Sequence, residues 1–117
     1  QIQNIRGEFV LPSSASISAA ASGTIPNDTR CSITNANAAG AYPISTFTWM
    51  IIYKEQNYSD RSKEQSVATL DLLKYILSDE AQNITSEVHY APLPAKVKEV
   101  SINNLKTVTF NGVAILQ

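Results

Sequence analysis

The hydrophobic pattern is strongest in residues 46–53, which read Thr-Phe-Thr-Trp-Met-Ile-Ile-Tyr. β-Branched and aromatic residues dominate this stretch, and such residues are enriched in strands. The apolar run is continuous rather than alternating, which is typical of a strand buried on both faces by covering helices. The pattern therefore predicts a buried strand and favours an α/β fold over a β-sandwich.

A helical periodicity follows this stretch. Ser62 and Gln65 form an S-x-x-Q capping box, which marks the first turn of a helix. Apolar residues then recur at helical spacing, so we predict an amphipathic helix over residues 63–77. The apolar stripe of this helix consists of Val67, Leu70, Leu73 and Leu77, widened by Leu72 and Ile76.

The first forty residues predict short elements joined by polar connections. Residues 1–10 predict a hairpin that turns at Gly7. Residues 15–21 predict a short helix, because serines precede an alanine-rich run. Residues 30–34 alternate between apolar and polar positions and predict a short strand inside a long connection.

Three further elements are predicted after the long helix. Asp79 with Gln82 repeats the capping pattern and predicts a short helix that runs to about Glu87. Pro94 is expected at the first position of a third helix, where its missing N–H costs nothing. The Asn-Gly pair at 111–112 lies between apolar stretches and predicts a turn.

Composition describes one globular unit of 117 residues, with 44% hydrophobic and 16% charged residues. A chain of this size can support a core without disulfides or metals. The formal net charge is -1, and the two signs are interspersed. Nucleic-acid binding is not predicted, because it requires a basic face. The longest apolar run is far below the roughly 20 residues of a membrane-spanning helix.

Candidate catalytic and metal-binding residues are few. Cys31 is the single cysteine and His89 the single histidine, which excludes an internal disulfide and a zinc site of the usual Cys/His type. Cys31 alternates with Ile33 and is expected to be a small buried hydrophobe. No nucleophile, base and orienting group can be assigned around His89. We therefore predict no enzymatic activity, no metal and no cofactor.

Four segments, taken in order, resemble a known family. They are residues 7–13 (GEFVLPS), 17–21 (ISAAA), 41–45 (AYPIS) and 90–94 (YAPLP). Their order and spacing are similar to those in the C-terminal part of the periplasmic phosphate-binding proteins of bacterial phosphate ABC transporters. The resemblance runs nearly from end to end of the chain.

This resemblance implies the C-terminal portion of a two-lobed, type II periplasmic-binding-protein fold of the α/β class, with a mixed sheet flanked by helices. Residues 1–41 are expected to be the tail of the second lobe, and residues 42–117 to return to the first lobe and complete it. The implied function is capture of inorganic phosphate in the bacterial periplasm or at the cell surface. The implied partners are the remainder of the binding protein and the membrane subunits of the ABC transporter.

The resemblance transfers no phosphate ligand to this chain. The recognition elements of the family include an Arg-x-x-x-Ser-Gly-Thr segment, whose last three letters recur at residues 22–24. Ser18 stands where that segment has arginine, and His89 stands where the family commonly has glycine. The residues to which the resemblance gives structural roles are Tyr42, Pro43, Ile44, Tyr90, Pro92 and Pro94.

Two alternatives stay open on the sequence alone. The chain could be a stand-alone interaction or assembly module, or the parent protein could bind another oxyanion. A fragment cut from a two-lobed protein exposes core surface, so we also expect it to form a homodimer through that surface.

Overall fold

A computed structural model of the chain describes residues 1–116. It contains both helices and small antiparallel sheets, in agreement with the predicted α/β class. In chain order the elements are β1 (Ile2–Gln3), β2 (Phe9–Val10), α1 (Ser14–Ala20), α2 (Lys63–Ile76), α3 (Asp79–Ile84), a 3₁₀ helix (Thr85–Val88), α4 (Ala95–Leu105), β3 (Thr109–Phe110) and β4 (Val113–Ala114).

The N-terminal hairpin turns where the sequence predicts. β1 pairs with β2 in antiparallel fashion, and Gly7 has a φ of 81°, in the left-handed region that favours glycine. The turn is held by buried Asn4, whose Oδ1 accepts the backbone N–H groups of Arg6 and Glu8, both at 3.0 Å. Asn4 Nδ2 also donates to the carbonyl oxygen of Ala41 at 3.1 Å, which ties the hairpin to the end of the long connection.

Helix α1 begins at a reciprocal cap, as the preceding serines predict. The Ser13 hydroxyl accepts the N–H of Ser16, and the Ser16 hydroxyl accepts the N–H of Ser13. Ser16 is buried and its hydroxyl also lies 2.8 Å from the Leu11 carbonyl oxygen, to which it can donate. The cap therefore fixes the chain that enters the helix as well as the helix itself.

Helix α2 is the longest element and has the predicted capping box. The Ser62 hydroxyl accepts the N–H of Gln65, and the Gln65 side chain accepts the N–H of Ser62. Leu70 and Leu73 are buried, as the periodicity predicts. Leu72 is 55% exposed, so the prediction that it widens the buried stripe is wrong.

The short helix after α2 differs in detail from its prediction. Ser78, not Asp79, is the capping residue, and the α-helix ends at Ile84 before the 3₁₀ helix. Gln82 does not complete a capping box. Its buried amide donates to the Ile76 carbonyl oxygen at 2.8 Å and accepts the Leu93 N–H at 2.7 Å. Gln82 therefore connects the end of α2 to the loop that precedes α4.

Helix α4 begins one residue later than predicted, because Pro94 is its capping residue rather than its first residue. Val97 and Leu105 are buried on its inner face. Beyond it, β3 and β4 pair around the predicted turn at Asn111 and Gly112, whose φ values are 52° and 73°. Positive φ at both central residues is the requirement of a type I′ turn.

Residues 46–53 form no strand in the structure, contrary to the prediction. The expected burial on both faces is also absent, because Trp49, Met50, Ile51 and Tyr53 are exposed. A strand exists only where a neighbour accepts and donates its backbone hydrogen bonds, and residues 1–116 place no strand beside this stretch. Residues 30–34 form no strand for the same reason.

Buried apolar side chains form two clusters. The first consists of Ala20, Ala21, Ile33 and Ala41, and Phe47 packs against it. The second consists of Leu70, Leu73, Leu105 and Val108, and Ile52 packs against it. Residues 46–53 therefore contact both clusters, one near each end of the stretch.

Candidate functional site

The most distinctive surface is the stretch of residues 44–53, which we call the bridging segment. None of its residues makes a backbone-to-backbone hydrogen bond within residues 1–116. Three of its carbonyl groups accept side-chain hydrogen bonds: Ser45 O from Thr34 Oγ1 at 3.1 Å, Phe47 O from Thr46 Oγ1 at 3.3 Å, and Tyr53 O from Gln56 Nε2 at 2.5 Å. The bridging segment thus presents ten consecutive residues whose backbone N–H groups are available to another partner.

An open groove runs along the bridging segment and encloses about 1440 Å³. The opposite wall comes from α4 and the loop that precedes it, including Val97, Leu105 and residues 90–94. The lining is mostly apolar, and its polar atoms are few relative to its size. An apolar lining of this kind fits apolar side chains and does not supply the convergent donors that a dehydrated anion requires.

Of the three residues with an expected structural role at this point, Tyr42 and Pro43 are held by backbone hydrogen bonds. Tyr42 N–H donates to the Ser16 carbonyl oxygen at 2.9 Å, and Pro43 O accepts the Asn35 N–H at 2.8 Å. Ile44, the next residue, is exposed. Ser45 is buried again, and its hydroxyl donates to the Tyr42 carbonyl oxygen at 2.7 Å, so the anchored part of the chain extends to Ser45.

The Tyr90, Pro92 and Pro94 loop lies across the groove from the bridging segment. The Tyr90 N–H donates to the Thr85 carbonyl oxygen at 2.9 Å, while its side chain is exposed. The Pro92 carbonyl oxygen lies 3.5 Å from Ser18 Oγ on α1. His89, which precedes the loop, has a φ of 62°, in the left-handed region that favours glycine.

The residues that could bind an anion do not form a site. Residues 22–24 are exposed, and no helix begins directly after them. Their backbone N–H groups therefore do not form a helix N-terminus. The Arg30 guanidinium is already paired with Asp28, with Nε to Oδ2 at 2.8 Å. The Arg30 backbone N–H and then its side chain lower the pKa of Asp28. Residues 22–24 and Arg30 therefore do not converge on a common anion position in the described chain.

Among the described residues, Glu55 is the carboxylate with the most hydrogen bonds, and no sequence pattern predicts this role. It accepts the backbone N–H groups of Asn57, Asn111 and Gly112 at 2.9–3.0 Å and the Thr109 hydroxyl at 2.8 Å. These bonds, led by those from Asn57 and Gly112, lower the pKa of Glu55 to about 2. A carboxylate offers about four acceptor positions. Since all four are used, Glu55 is a clamp on the C-terminal hairpin rather than a ligand site.

Glu55 also takes part in the one isolated β-bridge of residues 1–116. It forms a parallel bridge with Thr109, whose N–H donates to Lys54 O and whose carbonyl oxygen accepts Gln56 N–H, both at 2.8 Å. β3 is antiparallel to β4 on its other side. Parallel and antiparallel pairing therefore meet at β3, as in a mixed sheet.

Metal and membrane chemistry receive no support from the described residues. Residues 1–116 contain no group of three or more His, Cys, Asp and Glu side chains placed to hold a metal ion. Cys31 is half-buried and has a free thiol. Among the helices of this part of the chain, none is both long and apolar enough to cross a membrane.

Comparison with known proteins gives consistent matches. The phosphate-binding protein PstS of Xylella fastidiosa strain Temecula1 is 35% identical over 103 residues, which are 85% of this chain and 27% of that protein. The protein of the same name from strain 9a5c is 34% identical over the same shares. The one from Methanocaldococcus jannaschii is 28% identical over 116 residues, which are 92% of this chain and 30% of that protein.

No family model matches the chain, and no solved structure matches it significantly. The chain spans 27–30% of the length of the relatives described above. The resemblance drawn from residues 7–13, 17–21, 41–45 and 90–94 is therefore confirmed, because this chain is homologous over most of its length to a segment of phosphate-binding proteins.

Proposed function

We propose that this chain is part of a longer solute-binding protein that captures inorganic phosphate outside the cytoplasmic membrane and delivers it to an ABC transporter. The observation that carries the proposal is the match to three proteins named as phosphate-binding over 85–92% of this chain. The proposed activity is reversible binding with no covalent step. The remainder of the binding protein and the membrane subunits of the transporter are its proposed partners.

The proposed division of labour assigns residues 1–41 to the second lobe and residues 42–117 to the first. The separation of the buried side chains into two clusters supports this division. The four buried residues of the first cluster all lie before position 42, and the four of the second all lie after position 69. The backbone anchor at Tyr42 and Pro43 lies at the proposed boundary.

The proposed role of this chain is scaffolding rather than ligand contact. Its three arginines contact other groups of this chain: Arg6 contacts Glu8 and Asn37, Arg30 contacts Asp28, and Arg61 contacts the first turn of α2. A buried oxyanion requires several donors that converge on it, usually including a charged one. We therefore place the principal phosphate ligands in the part of the protein that lies outside this chain.

Isothermal titration tests the proposal in two samples. The first is the 117-residue chain, into which phosphate should give no saturable heat. The second is a chimera in which this chain replaces the matching segment of the Xylella fastidiosa relative, and there phosphate should bind saturably. Sulfate at the same ionic strength is the control anion. Phosphate-selective binding by the chain alone would overturn the scaffold assignment, and a folded chimera that prefers sulfate would overturn the phosphate assignment.

A stand-alone assembly module is the second candidate, and the exposed bridging segment is the observation that favours it. Size-exclusion chromatography with light scattering separates the two proposals. A stable homodimer of the chain, together with a folded chimera that binds no oxyanion, would support the module.

A further inference from the structure

We propose that Asn111 is a site of spontaneous deamidation, and that Glu55 keeps it unreactive while the C-terminal hairpin is closed. Among the asparagines of the sequence, Asn111 is the one that is followed by glycine. Asn111 and Gly112 are both exposed, at the tip of the hairpin between β3 and β4. The inference is independent of the proposed function, because it concerns the chemistry of two neighbouring residues and the contacts that hold them.

Deamidation of an Asn-Gly pair is an intramolecular reaction that consumes only water. The backbone nitrogen of Gly112 loses its proton to solvent and attacks Cγ of Asn111, which closes a succinimide ring. The side-chain nitrogen of Asn111 takes up a proton from solvent and leaves as ammonia. Water then cleaves one of the two ring C–N bonds: cleavage at Cγ gives aspartate, and cleavage at the main-chain carbonyl carbon gives isoaspartate. Glycine favours the attack, because no Cβ on the attacking residue obstructs the close approach of its backbone.

Both reacting groups are held by hydrogen bonds to residues outside the turn. The nucleophile is the Gly112 nitrogen, and its N–H donates to Glu55 Oε2 at 3.0 Å. The group under attack is the Asn111 side-chain amide, whose Oδ1 accepts a hydrogen bond from Asn57 Nδ2. Asn57 is fixed in turn, because its own backbone N–H donates to Glu55 Oε1 at 2.9 Å. Attack requires the Gly112 N–H to be released and the Asn111 side chain to fold over its own peptide bond, so these hydrogen bonds must first break.

The charge of Glu55 opposes the reaction as well. The attacking species is a nitrogen anion, and a carboxylate oxygen 3.0 Å away disfavours its formation, because like charges repel. Within residues 1–116 no basic side chain forms an ion pair with Glu55 that would neutralise this charge. Glu55 is also a poor general base for the Gly112 N–H, because its hydrogen bonds lower its pKa to about 2. The closed hairpin therefore restrains the nucleophile by geometry and by charge.

Either product of deamidation weakens the turn that restrained the reaction. The backbone N–H of Asn111 donates to Glu55 Oε1 at 2.9 Å, so a new carboxylate at position 111 lies close to a second negative charge. Isoaspartate also adds a methylene group to the main chain, which the two-residue type I′ turn cannot contain. The two ends of the hairpin, Val108 and Ile115, pack in the second cluster. Deamidation is therefore an irreversible loosening of this end of the core.

Peptide mapping by mass spectrometry tests the inference in the 117-residue chain, incubated at mildly alkaline pH either folded or in urea. Conversion of Asn111 is followed by the gain of one mass unit and by chromatographic separation of aspartate from isoaspartate. In urea we expect conversion at least about tenfold faster than in the folded chain, because the reaction no longer waits for the hairpin to open. Exposed Asn37, which precedes Ala38, is the internal control and should convert much more slowly than Asn111 in urea. Equal rates for Asn111 in the two states would overturn its protection, and equal rates for Asn111 and Asn37 in urea would overturn the site.

Three variants assign the protection to Glu55. Glu55→Gln removes the charge and part of the acceptor capacity, so Asn111 should convert at least about tenfold faster in the folded chain and at an unchanged rate in urea. Glu80→Gln, an exposed position on α3, should change neither rate. Thr109→Val removes one hydrogen bond to Glu55 and keeps the charge, so it should give a smaller acceleration. Thr109→Val also keeps the test available if Glu55→Gln does not fold. Absence of acceleration in a folded Glu55→Gln or Thr109→Val chain would contradict the role of Glu55.

Asn111→Asp tests the consequence, because it has the same side chain as one product of the reaction. It should lower the melting temperature of the chain. Its effect should be smaller in a Glu55→Gln background, where the second negative charge is absent. Equal effects of Asn111→Asp in the two backgrounds would contradict the repulsion between position 111 and Glu55.

Discussion

Truncation of Leu70 to alanine tests whether α2 is held by the second cluster. Leu70 is fully buried and lies among Leu73, Leu105 and Val108, which come from α2, the end of α4 and the start of the C-terminal hairpin. Removing three buried carbon atoms loses their transfer free energy and leaves a cavity, together about 2–5 kcal/mol. The neighbouring side chains belong to two packed helices and cannot readily close the cavity. We therefore expect the free energy of unfolding to fall by about 3 kcal/mol. At roughly 4 °C per kcal/mol for a chain of this size, the melting temperature should fall by about 12 °C.

Leu72→Ala is the matched control, because it makes the same chemical change on the same helix. Leu72 is exposed, so little transfer energy and no cavity are involved, and its effect should stay within about 0.5 kcal/mol. Thermal and urea unfolding followed by far-ultraviolet circular dichroism measure both variants against the unchanged chain. Equal loss of stability in the two variants would refute the packing of α2 described here.

Two further predictions concern the C-terminal hairpin. Folding lowers the pKa of Glu55 from 4.5 to about 2. The ionised carboxylate therefore stabilises the fold above pH 4.5, and this contribution is lost as the pH falls toward 2. Glu55→Gln should remove this pH-dependent contribution. Unfolding midpoints between pH 7 and pH 2 measure it, with Glu80→Gln as the exposed control, and an unchanged pH profile in Glu55→Gln would contradict the clamp. Gly112→Ala should cost about 1 kcal/mol, because its φ of 73° is left-handed. Gly23→Ala, at a position with open space and no left-handed φ, should be neutral or slightly stabilising, and the reverse order of the two alanine variants would contradict the turn assignment.

Features that depend on near neighbours in the sequence could be predicted from it. The capping box at Ser62 and Gln65 is encoded within four residues, and the same holds for the turn at Asn111 and Gly112. The spacing of Leu70 and Leu73 follows from the period of the helix alone. Each of these signals needs no knowledge of what packs against the element, and each is present in the structure.

Features that depend on distant residues could not be predicted. Glu55 and the hairpin that it clamps are separated by more than fifty residues, and no local pattern marks the pair. Gln82 has the spacing of a capping residue, but in the structure its side-chain amide oxygen accepts the backbone N–H of Leu93 instead. The exposure of Leu72 likewise depends on where α4 lies, since helical period alone gives the width of a stripe only approximately.

The failure of the strand prediction at residues 46–53 and the absence of a phosphate site have one physical explanation. Strand propensity is the tendency of side chains to fit a pleated, covered surface, and it is expressed only when the neighbouring strands and the cover are present. Residues 1–116 bring Phe47 and Ile52 to the two clusters but place no strand along Ile51. In the described residues Arg30 is paired with Asp28 and does not converge with residues 22–24. Both observations are expected if, as we propose, the chain is part of a longer binding protein whose other part supplies the neighbouring strands and the principal anion ligands. Phosphate titration of the chain and of the chimera tests the second of these expectations, because only the chimera should bind.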